Sequence, residues 1–99
     1  MAYKSILGIG VISLGWMGRL HSRSYRAIAE RFPELEVVPR LVAAADPVDE
    51  VRQEAVDNLG FERAYADYRD LLADPEVEAV SICAPNFLHH EMALAAVKA

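Results

Sequence analysis

The chain has 99 residues, enough for one small domain at most. It is 54% hydrophobic and 25% charged, which predicts a folded core rather than disorder. A net charge of −5 and a pI of about 5.1, with both signs interspersed, argue against a nucleic-acid footprint or an anionic membrane partner.

Ser5–Ile12 is apolar and rich in β-branched residues, the pattern of a strand buried on both faces. It runs into Ser13-Leu14-Gly15-Trp16-Met17-Gly18, an S-x-G-x-x-G turn that leads directly into a helical pattern. Strand, Gly-rich turn and helix together open a dinucleotide-binding βαβ unit. Position 13 makes the tight turn, Gly15 lets a pyrophosphate approach the main chain, and Gly18 lets the helix pack close to the strand. The free N–H groups of the first helical turn then face the phosphates. Ser13 stands where the fingerprint has its first glycine, so a positive φ there would be strained. The alternative register Gly8-x-Gly10-x-x-Ser13 would leave the strand too short.

The first helix is expected from Gly18 to Arg31, with Met17, Leu20, Ser24, Ile28 and Phe32 facing the sheet and Pro33 stopping it. Arg19, Arg23, Arg26, Glu30 and Arg31 fall mostly on the other side. His21 reads as a residue packed against the sheet rather than a catalytic one. A second strand, Arg40–Ala45, ends at Asp46-Pro47. A helix over Asp49–Leu59 follows, closed by Gly60. Then come a short strand at Arg63–Tyr65, one or two helical turns over Asp67–Leu72, and a turn at Asp74-Pro75. Val77–Cys83 is the fourth strand and Leu88–Lys98 the last helix. Tyr65 and Tyr68 read as packing at the sheet edge.

The single cysteine, Cys83, has no partner for an internal disulfide and fits a core position in a reducing cytoplasm. Ile6–Met17 does not qualify as a signal peptide: it carries three glycines and no A-x-A site follows soon enough. No apolar run reaches the roughly 18–20 residues of a membrane span. His89 and His90 are adjacent, so on a helix they point apart, and HHEMA is not the H-E-x-x-H zinc pattern; no metal site is expected.

Strands alternating with helices predict an α/β fold, a partial Rossmann domain with strand order 3-2-1-4 and helices on both faces. That order brings Ser13–Gly18, Asp46 and the loop Ala84–His89 to one rim of the sheet. Asp46, ending the second strand, can accept from an adenosine ribose 2′-hydroxyl and would repel a 2′-phosphate, which favours NAD over NADP. It lies 28 residues beyond Gly18, the extra length being taken up by the Phe32–Pro39 connection. A plain turn or N-cap aspartate is the competing reading.

GVISLGWMGRLHSRSY, VAAADP, AYADYRDLL and VEAVSICAPNFLHHEMALAAVKA together resemble the Gfo/Idh/MocA family of sugar and polyol dehydrogenases. The Pro85-Asn86-x-x-His89 element is more specific than the glycines. The resemblance implies an NAD-dependent oxidoreductase that moves hydride between a secondary alcohol and nicotinamide. Ser13, Gly15, Trp16, Met17 and Gly18 would line the pyrophosphate, Asp46 would hold the ribose, and Pro85, Asn86 and His89 would border the nicotinamide half. The family's Gly-Lys-His strand and Glu-Lys-Pro motif have no counterpart here, so no catalytic residue is assigned. Residues 1–99 are accordingly expected to be a truncated NAD(P)-binding Rossmann domain without the family's C-terminal α+β substrate domain. An edge strand at Val77–Cys83 would favour a homo-oligomer. The alternatives are a non-catalytic nucleotide-binding or interaction fragment and a β-hydroxyacid-dehydrogenase-like protein, whose turns share a G-L-G-x-M-G form.

Overall fold

The computed structural model describes residues 4–99. Strand β1 (Ser5–Ile12) occupies an interior position in a parallel sheet, and its second half is fully buried. It is followed by α1 (Trp16–Arg31), β2 (Val37–Ala45) and α2 (Asp49–Glu54), which continues as a π-helical turn over Ala55–Leu59. Then come β3 (Arg63–Tyr65), α3 (Tyr68–Leu72), β4 (Ala79–Ile82) and α4 (Asn86–Lys98). The sheet order is β3-β2-β1-β4 with every pair parallel, as the alternation of elements requires.

Each face of the sheet carries its own core. Ile9, Val11, Leu14, Leu41 and Ala44 pack with Ala55, Leu59 and Phe61 on the side of α1 and α2. Ile12, Val42, Ala43 and Ala45 pack with Leu71, Ala84 and Met92 on the side of α3 and α4. Burying one such large aliphatic side chain stabilises the fold by roughly 1.5–3 kcal/mol. The β1–β2 ladder shifts register between Ile9, opposite Leu41, and Gly10, opposite Ala43, so Val42 is an extra residue in β2.

Several boundaries differ from the expectation. β2 begins three residues earlier, at Val37, and β4 is confined to Ala79–Ile82. Helices α1 and α4 each begin two residues sooner, at Trp16 and Asn86. The second helix does end at Gly60, at φ +90°, but its last turn is π rather than α. The wider turn leaves the carbonyls of Asn58 and Leu59 for the guanidinium of Arg26 on α1.

The larger correction concerns which side of α1 faces the sheet. Gly18 and Ser22 are buried there, with Tyr25 beside them bonding Ser81 of β4 at 2.7 Å, whereas Met17, Leu20, Ser24 and Phe32 are exposed. A Cβ on Gly18 would stand 2.0 Å from the Ser13 carbonyl oxygen, so the helix lies too close for large side chains. The Ser22 hydroxyl is satisfied within the helix, donating to the Gly18 carbonyl at 2.7 Å. Leu20, Ile28 and Phe32 instead line a groove along α1 that Tyr25 also borders, and the half-buried His21 lines the same groove.

Candidate functional site

At the C-terminal ends of the strands, the β1–α1 turn, the β2 end, the β3–α3 loop and the β4–α4 loop surround a mainly apolar cavity of about 890 Å³. A volume of this order suits a ligand larger than a simple metabolite. Its position, beside the point where the chain crosses from one half of the sheet to the other, is where open α/β sheets bind ligands.

Ser13, Gly15, Trp16, Met17, Asp46 and Pro85 all lie on the cavity wall, although they are drawn from three separate stretches of sequence. Ser13 does adopt the left-handed conformation anticipated for it, φ +74°, and its N–H donates to the Ala45 carbonyl at 2.8 Å. Gly15 caps α1 without any side-chain hydrogen bond to the helix terminus. An added Cβ on Gly15 would meet no atom within 4 Å, so packing within the chain does not demand a glycine there. An open glycine at an uncapped helix N-terminus is a cradle for an anion, and the arrangement fits the pyrophosphate of a dinucleotide. Trp16, 78% exposed, stands at its edge.

Asp46 ends β2 as expected, and both its oxygens already accept backbone donors: Oδ2 from Leu14 N–H and Oδ1 from Val48 N–H, each at 3.0 Å. It is not the N-cap of α2, which is Val48. Each carboxylate oxygen keeps a further lone pair for a ligand hydroxyl.

Three of the anticipated residues are not on the wall. Gly18 lies behind the turn, packed on Ser13. Asn86 begins α4 outside the cavity, and the His89 ring turns back so that Nε2 donates to the Ala84 carbonyl at 2.6 Å, bracing the loop. Conversely, Tyr68, Leu88, Glu91 and Met92 line the cavity without having been singled out for it. Tyr68 is not simply sheet-edge packing: its hydroxyl donates to Glu91 Oε1 at 3.2 Å, joining α3 to α4. Burial, and then this bond to a carboxylate, push the Tyr68 phenol upward. Cys83, a free thiol just past β4, also reaches the cavity, and burial raises its pKa. A single-residue signal for Tyr68 or Glu91 is absent from the sequence, because their convergence depends on how α3 and α4 pack.

An oxidoreductase family with an NAD-binding Rossmann fold, Gfo/Idh/MocA, matches residues 7–99. The chain is 38% identical to levoglucosan dehydrogenase of Pseudarthrobacter phenanthrenivorans over 95 residues, 94% of this chain and 24% of that protein. It is 34% identical to myo-inositol 2-dehydrogenase of Thermotoga maritima over 91 residues, 92% of this chain and 25% of that one. Among solved structures, an NAD binding oxidoreductase from Klebsiella pneumoniae superposes with a TM-score of 0.88 at 41% identity, covering 95% of this chain and 25% of its own. Levoglucosan dehydrogenase in complex with NADH gives a TM-score of 0.88 at 35% identity with the same coverage. The chain thus spans about a quarter of the length of these relatives.

Proposed function

The chain belongs to the Gfo/Idh/MocA oxidoreductase family, and from that premise we propose that it supplies the NAD-gripping part of a sugar or polyol dehydrogenase. The observation that carries this reading is the cavity at the strand ends, with an uncapped helix N-terminus and an open Gly15 on one side and Asp46 on the other. When bound there, NAD supplies the hydride-accepting nicotinamide for oxidation of a secondary alcohol.

In this reading Ser13, Gly15, Trp16, Met17 and Gly18 form the pyrophosphate turn, Gly18 acting from behind it. Asp46 accepts from the adenosine ribose. Pro85, Asn86 and His89 shape the loop beside the nicotinamide half, His89 by bracing Ala84. Asp46, Asp67 and Glu91 are the charged residues lining the cavity, which contains no lysine or arginine among the described residues; this supports NAD over NADP. Residues 1–99 then contribute binding, with proton transfer and substrate recognition supplied by a substrate domain outside them.

A cytoplasmic setting is part of the proposal, consistent with the free Cys83 thiol; among the described residues no helix is long and apolar enough to cross a membrane. Self-association through β4, the outermost strand on that side among the described residues, is a further part of the proposal. The decisive experiment is fluorescence titration of the chain with NADH and NADPH. NADH should bind at least about tenfold more tightly than NADPH, and Asp46→Ala should erase the difference. No binding of either cofactor overturns the proposal.

A further inference from the structure

The strained Ser13 peptide needs something to hold it, since a left-handed L-residue costs about 1–2 kcal/mol. The restraint converges on its neighbour Leu14. The Leu14 N–H donates to Asp46 Oδ2 at 3.0 Å, while its carbonyl accepts from Arg19 Nε at 3.2 Å. Arg19 is itself fixed by a bidentate pair with Glu54 on α2, Nη1 to Oε1 at 2.9 Å and Nη2 to Oε2 at 2.7 Å. The Leu14 side chain is buried at the same point. One residue is therefore held by its N–H, its carbonyl and its side chain, which fixes the peptide units on either side of it immediately before the open Gly15.

We infer that Arg19 and Glu54 are positioning residues for the anion-binding turn, acting through the Leu14 carbonyl rather than by touching a ligand. Arg19 engages partners with its Nε and both terminal nitrogens and does not line the cavity, so it is not itself a phosphate ligand. The bidentate geometry aims Nε at Leu14, a role that a lysine, with one point charge and no fork, does not reproduce. The inference rests on the cofactor reading above and identifies what keeps that site in shape.

The test compares wild type with Glu54→Gln, Arg19→Gln and Arg19→Lys. Two readouts are used: hydrogen exchange of the Leu14 amide in the ligand-free chain, and titration with NADH, ADP and adenosine. All three variants should exchange the Leu14 amide faster. They should bind NADH and ADP about tenfold more weakly, the worth of one charge-assisted hydrogen bond, while adenosine, which has no phosphate, binds as before. Equal losses for ADP and adenosine would mean a general loosening of the fold and overturn the inference. Full affinity in Arg19→Lys would reduce the role of Arg19 to its charge, with the same consequence. A wild-type chain that ignores NADH overturns the cofactor reading itself. A wild type that binds while the variants bind equally overturns the positioning role alone.

Discussion

The two ends of the sheet are built on opposite plans. At the C-terminal rim, backbone donors at the start of α1 lack caps, Ser13 is held in a left-handed conformation, and an apolar cavity stays open. Near the N-terminal ends of β3 and β4, charges are matched one to another. Arg63 bonds Asp74 Oδ2 at 2.7 Å and Glu76 Oε1 at 2.6 Å, while Arg40 reaches both Glu62 and Glu76. Asp74, only 8% exposed, also accepts from the Tyr65 hydroxyl and the Glu76 N–H, and the Arg63 guanidinium holds its carboxyl down at about 2. One end spends its polar groups on itself and the other leaves them for a ligand. Stability and binding are thereby separable in this chain, and substitutions should affect one without the other.

The largest effect is expected where packing and the ligand-binding turn coincide, at Gly18 against Ser13. Gly18→Ala places a methyl group against the Ser13 carbonyl and should cost about 3 kcal/mol together with NADH binding, read as a fall of more than ten degrees in thermal denaturation. Asp74→Asn should cost about 2 kcal/mol by weakening the buried acceptor of Arg63 and Tyr65, yet leave NADH affinity within twofold of wild type. The pH dependence follows with a definite sign. The folded pKa of Asp74 lies below its unfolded value of about 3.9, so its stabilisation is complete above that value and disappears as pH falls towards 2. Acid titration of the folded signal should therefore be flatter between pH 4 and 2 in Asp74→Asn.

Gly15→Ala inverts the pattern. Its backbone, φ −69° and ψ −161°, admits alanine and the space around it is open, so the melting temperature should stay within about two degrees. NADH affinity should nevertheless drop about tenfold, because the methyl group occupies the place of the phosphate. Equal loss of stability and affinity in this variant would break the contrast between the two ends. The smallest effect is Ser13→Gly, which relieves the positive φ and should raise stability by about 1 kcal/mol in a thermal melt.

Much of this arrangement was legible in the residues. Ser5–Ile12 is the observed β1 without adjustment, the strand order follows from the alternation, and the strain at Ser13 follows from a serine in a glycine's place. The packing side of α1 was not legible, because apolar periodicity favours Leu20, Ile28 and Phe32, whereas close approach to the sheet selects Gly18 and Ser22. Small residues carry little hydrophobic signal even when they set the distance between elements. Tyr68 and Glu91 escaped for a different reason. They are 23 residues apart and meet only once α3 and α4 are stacked on the same face.

The extra residue at Val42 has a consequence for inheritance of the site. Along β2, Leu41 faces α1, Val42 and Ala43 both face α4, Ala44 faces α1 again and Ala45 faces α4. The irregularity therefore inverts the parity of everything that follows it, and the next residue, Asp46, comes out on the side from which its carboxylate reaches Leu14. Deleting Val42 would only close the bulge: Ala43 would follow Leu41 in strict alternation, every later residue would keep its partner on β1, and Asp46 would stay on the side of Leu14. Descendants of this sequence can therefore lose the extra residue of β2 and still present the aspartate to Leu14.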